Sequence, residues 1–254
     1  IDLPRTGLGV FMLKIYHQTD HKGVYLYSQQ FASKPYLAVS VAVPPVPPGK
    51  LAQWETTLNP VIDRNWGEEG TGQWVIKDDH RKADLYQIAD GSKYELEQEI
   101  EGQSYDGIGP VPAWLTLQER PSKHHNWVDG AWVLDVAAEL EDAKIDKLRE
   151  IDQARDQALV AGFTHNGNTF DSDAKSIQRI NAIATLALMD PNFSTPYITK
   201  DNNIITLDAA AVGALGTAAA QHESSLVFQA RALKDQVLDA TDKSTVDEIV
   251  WVAP

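Results

Sequence analysis

The spacing of hydrophobic residues along this chain changes at Asp135. Before this residue, hydrophobic positions alternate over short runs that are broken by Asp-Gly pairs and prolines, which is the pattern of short strands joined by turns. After it, they recur every three or four residues, the period of an α-helix. The pattern predicts an α+β protein: a small aromatic-rich β part at the N-terminal side, followed by a mainly helical C-terminal domain with two short β-hairpins.

The N-terminal half is interrupted by the run Pro44-Pro45-Val46-Pro47-Pro48-Gly49. This run cannot enter a central strand and favours an extended polyproline geometry, so it is interpreted as a stiff connector. Five segments are therefore predicted: an N-terminal β arm over 1–43, a Pro-rich connector over 44–49, a Trp-rich small β module over 50–135, a connecting amphipathic helix over 136–162, and a helical domain with hairpins over 163–254.

Local signals mark the ends of the predicted helices. Asp135 is suited to cap the connecting helix, because its carboxylate can accept from exposed N–H groups, and Gly162 ends that helix. Asn166-Gly167 predicts a tight hairpin turn of type I′, which needs positive φ. A second helix is expected from about Ala174 to Met189, and Asp208 is expected to cap a third.

The third helix carries a narrow apolar seam that would extend for about 45 Å if the helix is unbroken. Such a seam resembles helix-packing interfaces and predicts possible self-association of the protein. The seam residues are Val212, Leu215, Ala219, His222, Leu226, Leu233 and Val237.

Composition narrows the classes of function. The net charge of −14 argues against binding to nucleic acid or to an anionic membrane surface, both of which need a basic patch. The chain has no cysteine, which removes disulfides, thiol nucleophiles and thiolate zinc sites. Membrane insertion is not expected, because no apolar run reaches the roughly 18 residues of a span and the start lacks the features of a signal peptide. Met12 is a possible native start.

Aromatic residues are the first candidates for a binding site, since an aromatic face can stack on a sugar ring. The competing interpretation is that several tryptophans form the core of a module too small to close on aliphatic residues; these are Trp54, Trp74, Trp127 and Trp132. Trp66 and Trp114 lie among polar, Gly or Pro residues and are expected to be exposed. Together with Tyr86 and Tyr105, they are the candidate partner or glycan contacts.

No catalytic, metal or cofactor site is expected. Asp78 to Arg81 are consecutive on a predicted strand and point to opposite faces, so they cannot converge on one ion. Asp171 and Asp173 have the spacing of two calcium-loop ligands, but the segment that follows lacks the glycine and the distal glutamate of such a loop. Helix capping is therefore the better interpretation. The chain shows no nucleophile elbow, phosphate-binding loop, dinucleotide fingerprint or zinc-protease helix.

Two sets of motifs carry a family resemblance. The C-terminal set resembles a domain of unknown function found on many bacteriophage tail proteins: Arg155-Asp156-Gln157-Ala158, Ala161-Gly162-Phe163-Thr164-His165-Asn166-Gly167, Phe170-Asp171-Ser172-Asp173, Thr206-Leu207-Asp208-Ala209 and Ala230-Arg231-Ala232-Leu233-Lys234. The upstream set resembles phage tail fibre and tail fibre assembly proteins: Pro47 to Trp54, Gln73 to Arg81 and Trp127-Val128-Asp129-Gly130-Ala131-Trp132-Val133. An insertion-like stretch, Glu55 to Gly72, departs from the upstream pattern.

The resemblance implies a non-enzymatic role, in which the protein binds the C-terminal region of a phage tail fibre and acts as a fibre component or as a chaperone of fibre assembly. It implies a location in the host cytoplasm during assembly, with the tail of the virion as a second location. The alternative is a tail module that binds host surface polysaccharide through exposed aromatic residues. A polysaccharide hydrolase is a third, less favoured class, because scattered carboxylates can pair in space.

Overall fold

The computed structural model describes residues 12–252. The chain divides into two compact units, the first reaching Val133 and the second beginning at Leu134. Within residues 12–252, the first unit contains only strands and loops, and the second contains four helices and two hairpins. The predicted α+β class is confirmed.

The first unit is built from small antiparallel sheets rather than one large sandwich. Their strand orders are β2-β1-β3, β4-β5, β7-β6-β8 and β10-β9. Short runs broken by turns limit each sheet to two or three strands. The strands are β1 Lys14–Thr19, β2 Tyr25–Phe31, β3 Ala38–Val39, β4 Lys50–Glu55, β5 Gln73–Asp78, β6 Leu85–Gln87, β7 Lys93–Tyr94, β8 Leu115–Thr116, β9 His125–Val128 and β10 Ala131–Leu134.

Segments on both sides of the Pro-rich run share one core. Val39 of β3 is buried together with Trp54 of β4. The indole N–H of Trp74 donates to the carbonyl of Val41 at 2.8 Å. The backbone N–H of Trp54 donates to the carbonyl of Gly23 at 2.8 Å. Residues 44–49 therefore run between two segments that are packed against each other.

The four tryptophans expected in the core form two edge-to-face pairs, one in each hairpin. Trp54 and Trp74 face each other across β4 and β5, with ring centroids 5.5 Å apart. Trp127 and Trp132 do the same across β9 and β10 at 5.1 Å, and the guanidinium of Arg120 lies over the Trp132 ring. Edge-to-face packing of this kind stabilises a hairpin beyond the area that it buries.

The helical unit has the predicted order of elements. Asp135, Asp173 and Asp208 each accept a hydrogen bond from a backbone N–H in the first turn of the helix that follows, as the sequence predicts for capping residues. Asn166 and Gly167 both have positive φ, which confirms the predicted tight turn. The elements are α1 Val136–Val160, β11 Phe163–His165, β12 Asn168–Phe170, α2 Ala174–Met189, β13 Ser194–Ile198, β14 Ile204–Asp208, α3 Ala209–Asp239 and α4 Lys243–Glu248.

Helix α3 joins two cores of the helical unit. Its N-terminal half buries Val212 and Leu215 against α2 and the two hairpins. Its C-terminal half buries Ala230 and Val237 against Ile151 of α1 and the segment after α4. Because both halves are covered, α3 is the central element of this unit.

Candidate interaction surface

The prediction that Trp66 is exposed is wrong. Its side chain is only 6% exposed and packs with Val39 and Trp54. The stretch from Glu55 to Gly72 folds back onto β3, where the backbone N–H of Ser40 donates to the carbonyl of Gly67 at 2.8 Å. This non-local contact holds the indole inside the core, so Trp66 has no free face for a sugar or a partner.

The prediction of Tyr105 as a surface contact is also wrong. Tyr105 is 7% exposed, and its hydroxyl donates to the carbonyl of Gly109 at 2.7 Å. Its backbone N–H donates to the hydroxyl of Tyr94 at 2.8 Å. Burial raises the pKa of Tyr105 to about 12, because the charged phenolate would lose its hydration. The side chain is thus a polar part of the core.

Trp114 and Tyr86 are both half-buried, and Trp114 packs against the core that contains Tyr105. The Trp114 ring packs edge to face on Tyr94 with 5.0 Å between centroids. Tyr86 lies on the central strand of the sheet β7-β6-β8. The structure therefore brings Trp114 and Tyr105 to one cluster and places Trp66 in another, so the predicted contacts do not form one surface.

Another part of the first unit exposes apolar side chains around a cleft of about 310 Å³. We call it the 34–37/60–68 cleft, because its two walls are residues 34–37 and 60–68. Tyr36 on one wall is 64% exposed, and Val61 and Ile62 on the other are 75% and 73% exposed. Large apolar side chains grouped in this way around a concave surface are typical of protein contact sites.

A network of turns orders the wall that carries Val61 and Ile62. The Asn59 side chain accepts from the Val61 N–H at 2.9 Å, and the Asp63 carboxylate accepts from the Asn59 N–H at 2.7 Å. The Asp63 N–H donates in turn to the Asn59 carbonyl at 2.9 Å. Because the turn is closed by three hydrogen bonds, the two aliphatic side chains are presented in a fixed geometry. Such pre-organisation reduces the entropy lost when a partner binds.

Lys34 links the two walls of the cleft by hydrogen bonds and an ion pair. Its ammonium group donates to the carbonyl of Trp66 and, at 3.4 Å, to that of Arg64. It also lies 3.6 Å from the carboxylate of Glu68. The lysine is therefore a structural residue at the base of the cleft.

Leu37 adopts a left-handed backbone conformation, with φ of +56°. This conformation is unfavourable for a leucine, and residues of this kind cluster at binding sites. The surrounding structure fixes it, because the Leu37 carbonyl accepts from both the backbone N–H and the hydroxyl of Thr19, at 3.0 and 2.9 Å. The strained residue adjoins Tyr36 and shapes one wall of the cleft.

The apolar seam predicted on the third helix is buried, but inside this chain. Val212, Leu215, Ala219, Leu226 and Val237 are all at most 2% exposed. All of them except Leu226 belong to clusters formed with neighbouring helices and hairpins of the same unit. The seam therefore gives no support to self-association, which stays a prediction.

The remaining two seam residues, Leu233 and His222, are half-buried. The imidazole of His222 stacks on Phe163 at 5.5 Å. Its Nε2 atom has no hydrogen-bond partner within residues 12–252.

Three of the acidic residues considered at the sequence level, Asp78, Asp79 and Asp173, have a hydrogen-bond partner in the structure. A hydrogen bond from Lys50 lowers the pKa of Asp78, and a bidentate contact from Arg81 lowers that of Asp79. A hydrogen bond from the Ser176 hydroxyl lowers the pKa of Asp173, which caps α2. In the part of the chain that the structure describes, no group of three or more His, Asp or Glu side chains is placed to hold a metal ion.

The chain is similar to one family over part of its length. The model of that family, described as a domain of unknown function (DUF4376), matches residues 142–250. The matched segment lies within the helical unit and includes the C-terminal motifs. No curated protein and no solved structure matches the chain. None of the helices within residues 12–252 combines the length and the apolar character that a membrane span requires.

Proposed function

We propose that the protein is a bacteriophage tail fibre or tail fibre assembly protein that works without catalysis, by binding the C-terminal region of a fibre chain. The resemblance of its motifs supports the phage assignment. The observation that carries the contact mechanism is the 34–37/60–68 cleft, with Val61 and Ile62 fixed and exposed on its rim.

The apolar rim of the cleft fits a protein segment that carries aliphatic or aromatic side chains, while the lining also includes the charged residues Lys34, Asp63, Arg64 and Glu68. Tyr36, Val61 and Ile62 offer apolar area at low entropic cost, because the segments that carry them are held by backbone hydrogen bonds. In this proposal, the fibre segment covers the rim residues during assembly in the host cytoplasm, and the protein either leaves or stays in the tail.

The decisive experiment is co-expression with the tail fibre protein encoded beside it, followed by size exclusion with light scattering. The native chain is expected to co-elute with the fibre protein. The double variant Val61→Ser/Ile62→Ser is expected to lose the complex, because two exposed contacts of the rim become polar.

The matched control is Leu117→Ser/Val128→Ser, since these residues are 50% and 48% exposed in the same unit. The control is expected to retain the complex. Equal loss in both double variants, or a fibre protein that elutes separately from the native chain, would contradict the proposal. Binding of the native chain to host polysaccharide without binding to the fibre would favour the glycan-binding alternative.

A further inference from the structure

Helix α3 carries an exposed stripe that is distinct from its buried seam. The stripe residues follow one another at intervals of three, four or one, so they lie on one face of the helix. None of them is charged, although the chain as a whole has a net charge of −14. They are Gly213, Thr217, Ala220, Gln221, Ser224 and Phe228, and all are exposed.

A hollow runs along most of the stripe, from Gly213 to Ser224, and Phe228 lies outside it. This open cleft of about 720 Å³ is bordered on the α2 side by Leu188, a residue that is 87% exposed. A Cβ atom added at Gly213 would meet nothing within 4 Å. Glycine inside a helix is destabilising relative to alanine, and no contact among the described residues requires it here. The hollow is therefore left without a function inside this chain.

The Phe228 end of the stripe protrudes. Phe228 is 71% exposed, which is unusual for a phenylalanine on an ordered helix. Gly213 and Phe228 lie equally far along the helix from the midpoint between Ala220 and Gln221, on opposite sides of it. Thr217 and Ser224 have the same relation to that midpoint. When two α3 helices lie antiparallel, Phe228 of one is therefore opposite Gly213 of the other, and Thr217 is opposite Ser224.

We propose that two copies of this protein form a two-fold symmetric dimer in which their α3 helices pack antiparallel along this stripe. Phe228 of each copy enters the hollow at Gly213 of the other, against Leu188. The hydroxyls of Thr217 and Ser224 meet across the interface. A two-fold axis between Ala220 and Gln221 generates both sets of contacts at once.

Charge supports a second copy as the occupant. Two chains with net charge −14 repel one another, and the six stripe residues let them meet without a charged side chain between Gly213 and Phe228. Just beyond the stripe, Arg231, which pairs with Asp235 of its own helix at 2.9 Å, comes opposite Ala210 of the other copy, close to the exposed Asp208. The small residues at the centre allow a close approach of the two helices. The dimer does not depend on the proposed role at a tail fibre.

The test is the oligomeric state of the full chain, measured by sedimentation equilibrium over a wide range of concentrations. The native chain is expected to be a dimer. Phe228→Ser is expected to raise the dissociation constant of the dimer by about 30-fold or more for each of the two contacts that it removes, because Phe228 acts as a buried aromatic anchor. Gly213→Leu is expected to have a similar effect by filling the hollow, while the helix is retained because leucine favours helix more than glycine does.

Leu238→Ser is the control, because Leu238 is 56% exposed on the same helix but lies beyond the stripe. The combined change Gly213→Phe/Phe228→Ala exchanges the protruding and the receiving positions. It is expected to restore the dimer that Gly213→Phe or Phe228→Ala alone disrupts, and circular dichroism of each single variant checks that it is folded.

A native chain that stays monomeric up to its solubility limit would overturn the proposal, and so would a trimer. A dimer that neither Phe228→Ser nor Gly213→Leu weakens would also overturn it. Failure of the exchanged pair to recover dimerisation would show that Gly213 and Phe228 do not meet.

Discussion

The ammonium group of Lys234 donates to the carboxylate of Asp152 at 2.5 Å, and this contact joins α3 to α1. The hydrogen bond from Lys234 is the main reason why the pKa of Asp152 is lowered. Because this pKa is lower in the folded state than in the unfolded state, the ionised carboxylate stabilises the folded state at pH values above its unfolded pKa of about 3.9. The stabilisation is lost as the pH falls through the folded-state pKa.

We therefore expect Asp152→Asn to lower the free energy of unfolding of the helical unit at neutral pH. The loss should be a few tenths of a kcal/mol, because the Asp152 side chain is 40% exposed and solvent screens the pair. Far-ultraviolet circular dichroism during urea unfolding measures this change. The difference from the native chain should vanish in strong acid, and a difference that persists there would show that Asp152 acts through packing rather than charge.

The buried phenol of Tyr105 predicts a loss of stability at high pH. Its pKa is raised to about 12 by burial, whereas an unfolded tyrosine titrates near 10. Between these values, the unfolded state releases a proton that the folded state keeps, so stability falls by about 2 to 3 kcal/mol as the pH rises.

Alkaline unfolding followed by tryptophan fluorescence tests this prediction. Tyr105→Phe removes the titrating group, so its stability should depend less steeply on pH, although the lost hydrogen bond to Gly109 costs about 1 kcal/mol at neutral pH. Tyr36→Phe, at a position that is 64% exposed, is the control for the loss of a phenol outside the core. Equal slopes in all three proteins would contradict the account of Tyr105.

Gly67 is expected to be irreplaceable, because it fixes the loop that buries Trp66. It has φ of +77°, and an added Cβ would lie 2.7 Å from the carbonyl oxygen of Ala38. Gly67→Ala should therefore destabilise the first unit by about 3 kcal/mol or more, from strain and overlap together. Gly49 has φ of +73° but open space around it, so Gly49→Ala should show only the strain of about 1 to 2 kcal/mol. Thermal unfolding followed by tryptophan fluorescence compares the two, and equal losses would mean that the contact with Ala38 does not matter.

Two leucines of α3 should differ widely in their contribution to stability. Leu226 is fully buried and Leu238 is 56% exposed. Leu226→Ala should cost about 2 to 5 kcal/mol, since it leaves a cavity in the core. Leu238→Ala should change the free energy of unfolding by about 0.5 kcal/mol or less. Urea unfolding followed by circular dichroism measures both, and a small loss at Leu226 would contradict the position of α3 at the centre of this unit.

The helical unit could be predicted well because its signals are local. A capping aspartate such as Asp173 acts on N–H groups two or three residues away, and Asn166-Gly167 determines its own turn. The apolar period along α3 likewise shows which face is buried, since that period depends only on neighbouring residues.

The candidate contacts could not be predicted, because exposure depends on distant residues. Trp66 stands in a polar stretch, yet it is buried by contacts with β3 that no local pattern records. The apolar seam of α3 indicated that this face of the helix is buried, but not that the residues packed against it belong to the same chain. In retrospect, two signals were present: the Asn59-Pro60 turn followed by two β-branched residues, and Phe228 among small and polar residues.

The most direct measurement of the central claim is site-specific photo-crosslinking from the rim of the 34–37/60–68 cleft. A photoreactive phenylalanine analogue at position 62 is expected to form a crosslink with the co-expressed tail fibre protein, and the same analogue at position 117 is expected to form none. Crosslinking from position 117 but not from 62, in a complex that demonstrably forms, would contradict the account.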